Sequence, residues 1–232
     1  SELEAAIRKD TVLVSLMYVN NEIGAIQPIA EAAALIHRLN PDCYFHVDAV
    51  QAYGKFEIYP KRLGIDMMSV SSHKIEGPKG VGFLYVNRRV SLKPVSFGGG
   101  QQGGLRSGTL NVPGIAGMAE AARAAYEDFE EKRERLLRVK DRILAGAAEL
   151  PGVRANSAPG MDSAPQIASL SVEGVRAEVL LHALEAEGVY VSSGSACSSN
   201  HPGISATLKG IGIPAKLLDA TVRLSFSAEN TE

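Results

Sequence analysis

Short apolar runs alternate with stretches of helical periodicity in the first half of the chain. The runs are bounded by turn-forming residues, which is typical of buried strands. They predict strands at 12–19, 44–48, 66–71 and 81–86, and apolar positions at helical spacing predict a helix at 29–39. Strands that alternate with helices in this way indicate an α/β fold with a largely parallel sheet.

A loop and a long helix separate this part from the remainder. Residues 98–113 are too rich in glycine and turn formers for regular structure, and from 114 to about 150 the pattern becomes that of one long helix. Beyond it we predict strands at 166–172, 189–193 and 221–226 and helices at 177–187 and 214–220. These elements suit a second, smaller α/β unit, with the division inside the long helix near residue 128.

Composition narrows the function classes. The 232 residues are 45% hydrophobic and 22% charged with a net charge of −2, which excludes a disordered chain and gives no electrostatic reason to expect a nucleic acid or a membrane surface as partner. Two cysteines are too few for a disulfide framework and favour a reducing, cytoplasmic location. No signal peptide or membrane-spanning stretch is evident at the start, and both ends read as truncated.

Lys74 and Asp48 are the strongest candidates for chemistry. Lys74 follows an apolar strand within Ser71-Ser72-His73-Lys74. A lysine there can form a Schiff base with a carbonyl cofactor while its neighbours bind a phosphate, and the alternative is a surface lysine on a turn. Asp48 ends the strand 44–48, where it can keep a pyridinium nitrogen protonated or simply cap the next helix. Because the two lie at neighbouring strand ends, the joint case for a pyridoxal phosphate site is stronger than either part.

Cys197 and two arginines are further candidates. Cys197 lies among small polar residues, which suits an accessible nucleophile, although an inert loop thiol is the alternative. Cys43, just before a strand, is predicted to be structural. Arg106 and Arg223 occur in loop or strand settings where an arginine can clamp a carboxylate, and a surface salt bridge is the alternative for each.

The sequence does not support two other classes of motif. The run Gly98–Gly103 formally matches the dinucleotide-binding fingerprint, but the residues directly after it do not start a helix and no acidic residue at a strand end appears about 20 residues on. No cysteine cluster or His-Glu-x-x-His motif supports a catalytic metal.

Taken together, the chain resembles the cysteine desulfurases of the iron-sulfur-cluster assembly type, which are class V aminotransferase enzymes. The matching blocks occur in family order across almost the whole chain, and the block around the second cysteine is the most specific. They are Asn20–Gly24, His46–Gln51, Ser71–Gly80, Arg106–Thr109, Ser192–Ser199 and Arg223–Phe226. The resemblance implies an aspartate aminotransferase-like fold (PLP fold type I), with 1–128 as the later part of the large cofactor-binding domain and 129–232 as the small domain carrying the cysteine loop.

The resemblance also implies a role for each site residue. Lys74 would hold pyridoxal 5'-phosphate and shuttle a proton, and Cys197 would take sulfur from L-cysteine as a persulfide, releasing L-alanine. Asn21 and Arg223 would hold the substrate carboxylate. The other cofactor contacts would come from Asp48 and Gln51 on the ring, Ser71 and His73 on the phosphate, Asn21, and Thr109 on the cofactor phosphate of a partner subunit.

The resemblance further implies a homodimer that passes sulfur to an acceptor protein such as an iron-sulfur scaffold. Family members are longer, and the part before the first residue normally supplies a phosphate-binding turn and a histidine that stacks on the cofactor. His46 matches a different position and is not that histidine. Two alternatives remain open: a truncated chain that keeps only the fold or dimerisation, and another enzyme of the same fold, such as an aminotransferase or selenocysteine lyase.

Overall fold

A computed structural model describes residues 2–193 and 205–231. Its contacts divide the chain into two compact units. The first unit comprises Ser1–Tyr18 and Gln27–Glu127, and the second comprises Val19–Ile26 and Asp128–Glu232. None of the described helices is both long enough and apolar enough to cross a membrane.

The first unit is built on a four-stranded sheet. Strands β1, β2 and β3 are parallel, and β4 pairs antiparallel with β3 at one end of the order β1-β2-β3-β4. The elements are α1 (Glu2–Ala6), β1 (Leu13–Met17), α2 (Ile29–Leu39), β2 (Tyr44–Asp48), β3 (Met67–Ser71), a 3-10 turn (Ser72–Ile75), β4 (Gly82–Val86), a second 3-10 turn (Gln102–Gly104) and α3 (Val112–Tyr126). The mainly parallel sheet predicted from the sequence is therefore confirmed.

Alternation along β2 sets which residues reach the core. Phe45 and Val47 are fully buried, whereas Tyr44, His46 and Asp48 on the opposite side are only partly buried. In α2 the buried residues recur at helical spacing and form one apolar face: Ile29, Ala32, Ala33 and Ile36. The polar side chains of β2 therefore alternate with residues that belong to a buried apolar layer.

The second unit carries an antiparallel sheet of order β5-β6-β8-β7. Its elements are α4 (Phe129–Ala148), β5 (Val153–Ala155), a 3-10 turn (Gly160–Asp162), β6 (Ile167–Val172), α5 (Ala177–Ala186), β7 (Ser192–Ser193), α6 (Ala206–Gly210), α7 (Ala215–Leu218) and β8 (Thr221–Ser225). A buried cluster packs α6 and α7 onto the segment Val19–Ile26: Ile23, Leu208, Ile213, Leu217 and Ala220.

The single long helix predicted from 114 to about 150 is wrong. The chain forms α3 and α4, which are separated by Glu127 in extended backbone and Asp128 in the left-handed conformation at φ 50°. Asp tolerates this conformation better than most residues and is also a favoured residue before a helix. Because apolar periodicity continues through both helices, the break left no signal in the pattern.

Candidate functional site

The carboxyl ends of β2 and β3 bring two of the predicted site residues to one edge of the sheet. Asp48 is the last residue of β2, Ser71 is the last residue of β3, and the parallel register pairs Asp48 with Ser69. The Asp48 carboxylate accepts a hydrogen bond from the Val50 N–H through Oδ1 at 3.0 Å, so it does cap the following turn. Within the described part of the chain Oδ2 accepts no hydrogen bond, which leaves it available to a cationic ring nitrogen.

Lys74 lies in the 3-10 turn that continues directly from β3. The turn is closed by two backbone hydrogen bonds, from Ser72 N–H to Val81 O at 3.0 Å and from Gly77 N–H to Ser72 O at 3.1 Å. A Cβ at Gly77 would come within 2.2 Å of Ser72 Oγ, so this tight return of the chain requires glycine. Lys74 is partly buried, whereas the neighbouring His73 is exposed.

The Lys74 main chain has a partner that sequence reasoning missed. Lys55 Nζ donates a hydrogen bond to the Lys74 carbonyl oxygen at 2.7 Å. Burial lowers the pKa of Lys55 to about 8, with the Lys74 charge acting in the same direction and Glu76 opposing it. In the sequence, Lys55 is marked out only as a basic residue in the turn that follows β2.

His46 forms a cross-strand bridge within the sheet. Its Nδ1 lies 2.7 Å from Ser15 Oγ on β1, and its Nε2 lies 3.2 Å from Ser69 Oγ on β3. Burial lowers the pKa of His46, against the effect of Asp48, which favours a neutral ring that donates to one serine and accepts from the other. Both ring nitrogens are thus occupied by the sheet itself.

The second unit brings Asn21 and Arg223 together. Arg223, on β8, donates from Nη1 to the Asn21 carbonyl oxygen at 2.9 Å and from Nη2 to Ser192 Oγ at 3.4 Å. Arg223 also lines a small pocket with Glu22, Ser169, Leu208, Thr221 and Val222. A cation held beside a polar turn in this way can receive a carboxylate.

Glu22 is a second residue that sequence reasoning did not single out. Its carboxylate accepts hydrogen bonds from Ser205 Oγ at 2.5 Å and from Thr207 Oγ1 at 3.2 Å. Ser205 in turn caps α6 by accepting from the Leu208 N–H at 3.1 Å. Glu22 therefore fixes the turn that carries Asn21 onto the start of α6.

The remaining predicted site residues lie in loops or turns, outside the described residues, or in the core. Gln51 lies in the turn after β2, and Thr109 is exposed in the loop before α3. The Arg106 side chain donates to the neighbouring Ser107 carbonyl oxygen at 2.6 Å, and it pairs with no acidic side chain among the residues that the structure describes. Cys197 lies outside the described residues. Cys43 is fully buried, consistent with its predicted structural role.

The donor set at the β2 and β3 ends fits pyridoxal phosphate. Four side chains lie at or just after the ends of these neighbouring parallel strands: Asp48, Ser71, His73 and Lys74. The carboxylate suits a pyridine nitrogen, the hydroxyl and the imidazole suit a phosphate, and the lysine amine suits an aldehyde. Among residues 2–193 and 205–231 no group of three or more His, Cys, Asp or Glu side chains could hold a metal ion.

Comparison with known proteins places the chain in a family. The model of the aminotransferase class-V family matches residues 1–232, and the chain belongs to that family. It is 45% identical over 99% of its length to a NifS/IcsS protein homolog of Lactobacillus delbrueckii subsp. bulgaricus, and 41% identical over 99% to the cysteine desulfurase IscS of Methanosarcina thermophila. It covers 60% and 56% of those two proteins, so it spans little more than half the length of such relatives.

The fold agrees with the family assignment. A solved structure described as a NifS-like protein superimposes with a TM-score of 0.90 at 36% identity, covering 100% of this chain and 60% of that one. Cysteine desulfurases and the other class V aminotransferases are pyridoxal phosphate enzymes. The aspartate aminotransferase-like α/β fold predicted from the sequence is thereby confirmed.

Proposed function

We propose that this chain is the greater part of a pyridoxal phosphate-dependent cysteine desulfurase. Residues 1–128 would form the later part of the large cofactor-binding domain, and residues 129–232 would form the small domain. The observation that carries the proposal is the placement of Lys74 directly after β3, beside the end of β2 that bears Asp48. The names of the similar proteins support the same activity.

The first unit would bind the cofactor. When bound, pyridoxal phosphate supplies an electron sink for the bond-breaking step at the substrate. Lys74 would hold the cofactor covalently and move the proton at the substrate Cα, and Asp48 Oδ2 would keep the ring nitrogen protonated. Around them, Gln51 would contact the ring hydroxyl, Ser71 and His73 would bind the phosphate, and Thr109 would reach the phosphate bound by a partner subunit.

The second unit would bind the substrate and receive its sulfur. Arg223, steadied by its hydrogen bond to the Asn21 carbonyl oxygen, would hold the carboxylate of L-cysteine together with the Asn21 side chain, which would also contact the cofactor. The Cys197 thiolate would attack the substrate sulfur. The Cβ–S bond of L-cysteine would break, Cβ would take a proton to give L-alanine, and the sulfur would stay on Cys197 as a persulfide.

We further infer the setting in which this chemistry is useful. A persulfide is labile and must pass to another protein, so an acceptor such as an iron-sulfur scaffold is the expected partner. A homodimer is inferred from the family resemblance, in which Thr109, exposed in this structure, would reach the cofactor phosphate of a second subunit. A reducing cytoplasm suits a chain whose chemistry depends on a free thiol.

The test is turnover of L-cysteine by the purified chain supplied with pyridoxal phosphate. We expect the parent chain to form L-alanine together with a sulfur adduct on Cys197. Lys74→Ala should abolish both products. Cys197→Ser should abolish the adduct, whereas Cys43→Ala should not. Transamination without sulfur transfer would point to an aminotransferase, and turnover of selenocysteine alone would point to a lyase. A stable fold that does not bind the cofactor would leave a binding or dimerisation role, and each of these three results would overturn the proposal.

A further inference from the structure

Lys55 lies at the close of the turn that follows β2. That turn begins at Asp48 and is tightened by backbone hydrogen bonds from Ala52 N–H to Ala49 O at 3.0 Å and from Phe56 N–H to Ala52 O at 3.0 Å. The segment 48–56 therefore carries two proposed cofactor contacts, Asp48 and Gln51, in its first half and Lys55 near its end.

This turn is packed tightly against the turn that carries Lys74. Gly54 has a φ of 77°, and a Cβ there would come within 2.9 Å of Ile75 Cγ2. The Gly54 N–H donates to the Tyr126 hydroxyl at 3.1 Å, and that hydroxyl donates to the Phe56 carbonyl oxygen at 3.0 Å. The two turns therefore meet closely at Gly54 and Ile75, and Tyr126 of α3 fixes the turn that follows β2.

The Lys55 ammonium completes this contact. The last carbonyl groups of a short helical turn lack partners within it, and a lysine side chain is one of the groups that satisfies them. Lys55 Nζ reaches the Lys74 carbonyl oxygen at 2.7 Å, a charge-assisted distance. Burial works against this cation, as its lowered pKa shows, so its presence calls for an interaction that offsets desolvation.

We propose that Lys55 is a positioning residue that clamps the main chain at Lys74 to the turn bearing Asp48 and Gln51. The proposal rests on the proposed function for the roles of those residues. A hydrogen bond to the Lys74 carbonyl oxygen restricts the main chain that carries the reactive amine. The amine then samples fewer orientations, which favours its attack on an aldehyde. Without it, the turn that carries Lys74 would keep its backbone bonds and the packing of Ile75 against Gly54 but would lose this charge-assisted hydrogen bond.

The test compares Lys55→Met, Lys55→Arg and the exposed control Lys61→Met in the chain as it stands. The first readout is amide hydrogen exchange across 72–77 without cofactor. The second is the rate at which pyridoxal phosphate becomes fixed to Lys74 by borohydride, located by peptide mapping. We expect Lys55→Met to accelerate exchange and slow capture by about tenfold each, the size of one hydrogen bond to a charged group. Lys55→Arg should recover most of both effects, and Lys61→Met should match the parent chain.

Unchanged exchange and capture in Lys55→Met would overturn the clamp, and so would capture at Lys55 itself in a Lys74→Ala chain. Loss of folding in Lys55→Met would appear as exchange throughout the first unit, and the Arg variant would then decide the matter. If the parent chain is never captured at Lys74, the proposed function fails, while the exchange comparison still decides for or against the clamp.

Discussion

The buried carboxylate of Asp66 offers the sharpest stability prediction. Asp66 is 2% exposed and accepts four hydrogen bonds, from Arg89 Nε at 2.5 Å, Arg89 Nη2 at 2.6 Å, the Phe45 N–H at 2.8 Å and His37 Nε2 at 3.2 Å. Arg89 also donates to two backbone carbonyl oxygens, at Pro41 and Cys43. Replacing Arg89 with Met leaves the carboxylate buried with only its weaker partners.

The magnitude follows from these contacts. Each hydrogen bond to a charged group contributes about 1.5–3 kcal/mol, and loss of the two from Arg89 would remove roughly 3–6 kcal/mol in a fully buried site. The Arg89 side chain is 37% exposed, so water replaces part of the loss. We therefore expect Arg89→Met to lower the free energy of unfolding by about 3 kcal/mol at neutral pH.

The effect depends on pH with a definite sign. Burial would raise the pKa of Asp66, but hydrogen bonds from Arg89, Phe45 and His37 outweigh it and hold the pKa below its usual value. A carboxylate with a lowered pKa stabilises the fold above its unfolded value of about 3.9, and this contribution is lost as pH falls through the folded value. The difference between the parent chain and Arg89→Met should therefore be full at pH 7 and shrink below about pH 4.

Urea unfolding followed by tyrosine fluorescence suits this test. The chain has no tryptophan, and six of its seven tyrosines belong to the first unit. Arg88→Met is the matched control, because Arg88 is exposed and makes no hydrogen bond within the described residues. If Arg89→Met were no less stable than Arg88→Met, or if the difference persisted unchanged at acid pH, the reasoning would be refuted.

Two further substitutions test other parts of the first unit. Gly54→Ala should lower the free energy of unfolding by about 2 kcal/mol more than Gly80→Ala, because both positions have φ near 77° but only Gly54 has a neighbour, Ile75, within contact of an added Cβ. Equal losses in urea unfolding would contradict this. Leu13 is 50% exposed on β1 at the end of the sheet order, so the parent chain should self-associate and Leu13→Lys should reduce association. A monomeric parent chain by light scattering would oppose the expectation.

The local part of the architecture was accessible from the sequence. Apolar runs bounded by turn residues predict β2 and β3, and the ends of these runs place Asp48 and Lys74 at neighbouring strand ends. This works because strand alternation and turn chemistry are properties of neighbouring residues. Spacing alone does not assign a function to the other site residues, because each of them could equally have a purely structural role. Their proposed roles depend on the motifs shared with the family.

Contacts between distant segments were not accessible. Val19–Ile26 lies early in the chain but belongs to the second unit, held there by Ser157 Oγ donating to the Ile23 carbonyl oxygen at 2.7 Å and by the Ala164 N–H donating to Gly24 O at 2.8 Å. Periodicity carries no information about such pairings. Lys55 was missed for the same reason, because its significance depends on a carbonyl group 19 residues further along the chain.

Covalent capture of the cofactor tests the central claim most directly. The purified chain is incubated with pyridoxal phosphate and reduced with borohydride. Its intact mass is measured and any adduct is located by peptide mapping, with Lys74→Ala as the control. The account predicts one reduced adduct on Lys74 that is absent from the variant. No adduct, or labelling scattered over surface lysines in both proteins, would contradict the claim that the β2 and β3 ends form a pyridoxal phosphate site in this chain.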